Sequence, residues 1–234
     1  GGYKANEILM QNKIGKCTAI CITQQAKKKF GKKYSSDFQY LLQKKFYDTG
    51  WYEGSSGQAA LWVANKYGFL PYDLMPDLND IDPTISYTDY IAKLQQYTDA
   101  QINDLIAKCE NKIGGYAQVN VNDKNALAQA ILDSDTGLYT TVTVTEDWYK
   151  NSKGNGDWSY DGLCPLDKKY PVAGGHAITI DTYDFTQYSQ FSWANTWSGV
   201  WCWKNNYQPD GGVAVSNYTT VKPNQAWIIY WDKA

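Results

Sequence analysis

The chain has 234 residues, enough for one large domain or two closely packed lobes with a proper core. Hydrophobic residues make up 43% of it and no apolar run approaches the length of a membrane span, so it reads as a soluble globular protein with no transmembrane segment. A formal net charge of −2 gives no reason to expect a nucleic-acid or membrane partner.

The first structured stretch is Gln11-Asn12-Lys13-Ile14-Gly15-Lys16-Cys17-Thr18-Ala19, a loop that runs into a helix. From Ala19 to Phe30 the apolar residues Ala19, Ile22, Ala26 and Phe30 recur at helical spacing, Lys27, Lys28 and Lys29 suit the last turn, and Gly31 supplies a stop. Cys17 therefore falls at a helix N-terminus, where unpaired N–H groups and the dipole lower a thiol's pKa. Taken alone it is better explained as a small buried hydrophobe that starts a helix. Gln11 could fold back and offer its amide beside the sulfur, half of an oxyanion hole. Ser36 and Gln39 read as a capping box for a second helix with Phe38, Leu41, Leu42 and Phe46 on its apolar face. Gly54-Ser55-Ser56-Gly57 follows as a loop whose backbone can approach a ligand, leading into a helix from Gln58 to Tyr67.

Asp77-Leu78-Asn79-Asp80-Ile81-Asp82 is acidic and turn-like. It lacks the alternating acidic spacing, central Gly and distal Glu of a calcium loop, so it reads as an ordinary acidic loop. Thr88 to about Lys112 reads as one or two helices with a break at Thr98-Asp99 and an inward face of Ile102, Leu105, Ile106 and Cys109. The character then changes. Gln118–Val121 alternates, Asn122 caps a helix over 124–132, and strands follow at Tyr139–Thr145, Ala177–Tyr183, Gln190–Ala194, Val213–Tyr218 and Gln225–Trp231. Helices first and strands after predict an α+β fold, with a helical lobe over 11–113 and a β-rich lobe over 114–234 of a single domain.

Five cysteines, Cys17, Cys21, Cys109, Cys164 and Cys202, contain no Cys-x-x-Cys pair, which argues against zinc and against a dense disulfide framework. Cys21 and Cys109 read as core, and Cys164 and Cys202 as a pair that sequence cannot establish. Trp193 and Trp203 read as core or cleft wall, and the lysines of 27–33 as a solvated helix end. The start at Gly1-Gly2-Tyr3, with neither initiator Met nor signal peptide, reads as a processed piece of something longer, and leaves the localisation unread.

The chain's one histidine, His176, follows Gly174-Gly175 and opens the strand beginning at Ala177. Its unperturbed pKa near ~6.5 suits it to pair with a thiol. The next strand ends in Asn195-Thr196-Trp197. An Asn carbonyl can fix the imidazole's tautomer and plane, and Trp197 can keep water from competing for that bond. With Gln11 six positions before Cys17, Gly175-His176-Ala177, Asn195-x-Trp197 and Trp201 four residues on, the sequence resembles the papain-like cysteine proteases. Gly54–Gly57 with Ala60-Leu61, the Asn122–Ala130 helix, and Tyr160-Asp161-Gly162 match further pieces of that family in order, and Gly174–Ile178 looks most similar to its cathepsin B branch.

The resemblance implies a papain-like two-lobed fold: a helical N-terminal lobe, an antiparallel β-barrel-like C-terminal lobe, and a cleft between them. It implies Cys17 as nucleophile, His176 as acid–base, Asn195 as its orienter, Gln11 with the Cys17 N–H as oxyanion hole, and Gly57, Ser55, Gly175 and Trp197 as substrate-binding residues. It implies no metal and no organic cofactor, a peptide or protein substrate, and an inhibitory propeptide or larger parent protein as partner. Three departures stand out. Thr18 replaces the family's usual Trp, Ile14 replaces the half-cystine three residues before the nucleophile, and Ser55 competes with Gly57 for the substrate-binding position. The missing half-cystine suggests a microbial, viral or intracellular member. Two other functions fit less of the sequence. A thiol hydrolase acting on cell-wall peptides would often use a second His or an Asp, and a non-catalytic peptide-binding module would usually have lost one of the four site residues.

Overall fold

The computed structural model describes residues 2–4, 7–146, 148, 171–184, 190–197, 213–218 and 222–232. Cys164, Cys202, Trp201, Trp203 and Tyr160–Gly162 lie outside the described residues. The chain divides into two compact units, one of residues 11–116 and 229–234, the other of residues 1–10 and 117–228.

The first unit is helical: α1 (Cys17–Phe30), α2 (Ser36–Phe46), α3 (Gly57–Lys66), α4 (Leu78–Ile81), α5 (Tyr87–Leu94) and α6 (Asp99–Ile106). Thr18 to Ala26 are buried without a break, so α1 is enclosed all round and is not one-sided as its apolar spacing suggests. Gly31 ends it at φ 67°, donating to the Lys27 carbonyl at 2.8 Å. Ile14, Phe38, Leu41, Val63, Leu70, Tyr90 and Ile102 build the core. A second set of rings joins Phe30, Tyr34 and Phe69 to Trp231 near the C-terminus, with Phe30 and Trp231 edge-to-face at 5.5 Å.

Several helix starts differ from expectation by one residue. Ser35, not Ser36, caps α2 and accepts from the Phe38 N–H at 3.0 Å. Ser36 is drawn off to Asp77 and Gln39 to the Gly68 carbonyl, so the capping box does not form. Asp123, not Asn122, caps the later helix α7 (Lys124–Asp133), because its carboxylate reaches two backbone N–H groups, those of Asn125 and Ala126. The acidic stretch at 77–82 is the one-turn helix α4 rather than a loop. Thr98 does mark the break between α5 and α6, and forms a capping box with Gln101. Cys109 follows α6, half-buried, with its thiol 3.6 Å from the Leu105 carbonyl and pushed up to about 12 by burial. Ser56 caps α3 through the Ala59 N–H at 3.0 Å from an exposed position. Ser56→Ala is expected to cost about 1 kcal/mol, read as a melting temperature lower by roughly 2–4 °C.

The second unit carries α7 and the strands β2 (Leu138–Thr145), β3 (Val172–Asp184), β4 (Gln190–Ala194) and β5 (Val213–Asn217). Strands β1 (Ile113–Val119) and β6 (Gln225–Trp231) run from one unit into the other. The sheet order is β1-β6-β2-β3-β4-β5, and the ladders β6-β2, β2-β3, β3-β4 and β4-β5 are antiparallel. The expected mix of helices and antiparallel strands is present. Among the described residues the sheet is open, with β1 and β5 at its edges, and does not close into a barrel. Leu127, Ile131, Val142, Ile178, Ile180, Phe191 and Trp193 form this unit's core. None of the helices among the described residues is long and apolar enough to cross a membrane.

Candidate active site

β3 begins at Val172, five residues earlier than its hydrophobic pattern suggests, so His176 sits within the strand and not at its start. It lies opposite Val142 of β2, and Gly175 lies opposite Thr143. The two glycines read as a break in sequence, but paired backbone needs no side chain to hold it. Strand alternation puts His176, Ile178 and Ile180 on the core-facing side of the sheet. On β4, Thr179 pairs with Ala194 and Ile180 with Trp193. One further step in that register sets Asn195 opposite Ile178, diagonal to His176 and within side-chain reach.

The two side chains meet. His176 Nε2 lies 2.7 Å from Asn195 Oδ1, which also accepts from the Thr196 N–H at 2.8 Å. The Thr196 donor identifies the amide atom as oxygen, and an oxygen acceptor requires the imidazole proton to be on Nε2. The lone pair of the neutral ring is therefore on Nδ1. Asn195 is wholly buried and His176 nearly so. Trp197 covers the pair, its ring centroid 4.8 Å from that of His176, with Trp148 edge-on to it at 6.3 Å. Burial pushes the imidazole down to about 4, and the Asn195 bond offsets part of that.

In the helical unit, Cys17 is the first residue of α1, at the helix N-terminus where the sequence places it. Lys16 is its N-cap residue and makes no side-chain cap. Gln11 is buried and its Nε2 donates to the Ile14 carbonyl at 2.8 Å, which fixes the amide plane. Thr18, where the resemblance expects Trp, is buried and hydrogen-bonded to Gln43 of α2 at 2.8 Å. In the glycine-rich loop, Gly54 takes φ 89°, its N–H donates to Tyr40 Oη at 3.1 Å, and its carbonyl accepts from Lys44. Ser55 Oγ is buried with no hydrogen-bond partner in the protein, and Gly57 opens α3. Gly175 is exposed in β3.

The structure thus brings His176, Asn195 and Trp197 together in one unit, and places Cys17, Gln11, Ser55 and Gly57 in the other. Sequence reasoning missed Lys16, whose side chain is wholly buried one position from Cys17. The acidic stretch tempting a cation is accounted for by protein donors. Asp77 binds Ser36, Asp80 binds Lys33 and Tyr72, and Asp82 binds Thr84. Among the described residues no cluster of His, Cys, Asp and Glu is arranged to hold a metal ion.

This combination of a helical unit and an antiparallel-sheet unit is the papain-like fold. Among solved structures, xylellain, a cysteine protease from Xylella fastidiosa, aligns over 100% of this chain and 84% of its own, with TM-score 0.71 and 20% identity. The bromelain protease from Ananas comosus, in complex with the E64 inhibitor, aligns over 96% of this chain and 93% of its own, with TM-score 0.58 and 15% identity. The digestive procathepsin L 3 of Tenebrio molitor larval midgut aligns over 97% of this chain and 67% of its own, with TM-score 0.58 and 15% identity. No protein-family model and no curated protein matches the chain.

Proposed function

We propose that the chain is a papain-like cysteine peptidase with Cys17 as nucleophile, His176 as acid–base and Asn195 as its orienter. The observation that carries this reading is the buried His176–Asn195 bond under Trp197. That bond fixes one tautomer and leaves Nδ1 to exchange a proton with a thiol. The Cys17 thiol passes its proton to Nδ1, and the thiolate attacks the scissile carbonyl. The resulting oxyanion accepts from the Cys17 N–H and the Gln11 side-chain amide, and one such donor contributes roughly 10²–10³ in rate. The imidazolium then protonates the leaving amine as the tetrahedral adduct collapses to a thioester. His176 next takes a proton from water, hydroxide adds to the thioester, and the acid product leaves with the thiol restored. Every proton is carried by His176, so the cycle calls for neither metal nor organic cofactor. Gly57, Ser55, Gly175 and Trp197 contact the peptide. The proform among the structural neighbours supports keeping an inhibitory segment among the partners.

The test is labelling with a thiol-directed epoxide, followed by cleavage of a peptide library. We expect label on Cys17, and a Cys17→Ala protein with cleavage lower by at least about 10³-fold. Unchanged cleavage by Cys17→Ala would end this reading, and peptide binding without cleavage by the wild type would make the chain a binding module.

A further inference from the structure

The loop that carries Gln11 and Cys17 is tied down by a buried ionic cluster. Lys16 Nζ lies 2.5 Å from Asp37 Oδ1 in α2, 2.5 Å from Asn79 Oδ1 in α4 and 3.5 Å from Asp77 Oδ2 at the start of α4. Each carboxylate has further donors. Tyr90 Oη of α5 and the Leu78 N–H bind Asp37 at 2.8 and 2.7 Å, while Ser36 Oγ and the Asp37 N–H bind Asp77 at 2.5 and 2.9 Å. Asn79 grips the loop a second time. Its backbone carbonyl accepts from Asn12 Nδ2 at 3.1 Å, and Asn12 holds the left-handed φ of 55°. Between these ties the Gly15 N–H donates to Glu53 at 3.0 Å, and Ile14 occupies the position where the resemblance expects a half-cystine.

A buried ion cluster is an expensive way to stabilise a fold, since well-packed apolar side chains often do as well or better. What it supplies here is direction. One ammonium draws α2, α4 and the start of α1 to a single point, and fixes the residue immediately before Cys17. We infer that the Lys16–Asp37–Asp77–Asn79 cluster is a positioning device for Cys17, clamping loop 11–17 onto α4 in the absence of a disulfide at Ile14. Lys16 does not touch substrate. It acts by holding Cys17 as the first residue of α1, where the helix terminus favours the thiolate.

This inference rests on Cys17 being the nucleophile, and two variants test it. Asn79→Ala removes one tie from a one-turn helix. Lys16→Met with Asp37→Asn removes one positive and one negative charge together, leaving the net charge of the cluster unchanged. With kcat expressed per titratable Cys17, each is expected to lower kcat by roughly 10- to 100-fold with KM within about twofold, as displacement of a reacting group does. Lower melting temperatures with kcat per site unchanged would make the cluster merely structural and overturn the inference. If the wild type cleaves no peptide, the proposed function fails separately, and alkylation of Cys17 by iodoacetamide decides. Rates about tenfold lower in the variants at pH 7 uphold the clamp, and equal rates overturn it.

Discussion

In a Cys17→Ala protein the imidazole of His176 is expected to titrate near pH 4, and a higher midpoint is expected in the wild type. The first value follows from burial. The ring is nearly inaccessible to water, and its desolvation outweighs the help of Asn195. The second follows from the proposed pairing, because a thiolate facing Nδ1 supplies the charge that burial otherwise denies the imidazolium. The chain has one histidine, so a single ring-proton resonance reports on it in an NMR titration with no assignment problem. Stability moves with it. In the alanine variant the folded-state pKa lies below the unfolded value of ~6.5, so between the two the unfolded chain binds more protons. The neutral ring's contribution is therefore whole above about 6.5 and is lost as pH falls through 4, by roughly 3 kcal/mol in all. The proposed pairing with a thiolate would make that loss smaller in the wild type. Midpoints that agree within half a unit in the two proteins would show that Cys17 and His176 do not interact.

Much of the arrangement around His176 is legible from sequence, because strand alternation is local arithmetic. Residues 176, 178 and 180 must share a face, as must 191, 193 and 195, and antiparallel pairing of the two strands brings the two sets together. Helix stops were equally plain wherever glycine had to turn left-handed, as at Gly31. The misses have a common cause. At 35–36 and 122–123 two adjacent residues could each cap, and distant partners decided. Ser36 went to Asp77, while Asp123 had the better-placed carboxylate. The start of β3 was hidden because glycines at 174–175 look like a turn until β2 is there to pair with them. Lys16 was least legible of all. A lysine beside a loop cysteine reads as solvated, and nothing within ten residues of it reveals the two carboxylates and the amide that bury it.

That burial makes Lys16→Met the substitution with the largest expected cost in stability. Burial by itself would lower the ammonium's pKa, but attraction to Asp37 and Asp77 more than offsets it and leaves it raised. Asp37 is raised as well, by its own burial and by the nearness of Asp77, although Lys16 opposes both. One cation is thus shared between two acids, and removing it leaves two carboxylates close together with none. Breaking a buried pair from one side costs about 3–5 kcal/mol, a fall in melting temperature of roughly 6–20 °C for a chain of this size. Methionine nearly matches lysine in length, so little of this cost is a cavity. The pH dependence separates charge from packing. Without Lys16 the folded-state pKa of Asp37 climbs further above its unfolded value, so the folded variant holds a proton that the unfolded chain releases. The deficit relative to wild type is then smallest in acid, grows as pH rises through the Asp37 midpoint, and is full once that carboxyl ionises. Adding Asp37→Asn to Lys16→Met removes one of the stranded charges and recovers part of the loss. A deficit below about 1 kcal/mol, flat across pH in paired denaturant titrations, would mean that the ammonium contributes little more than its bulk.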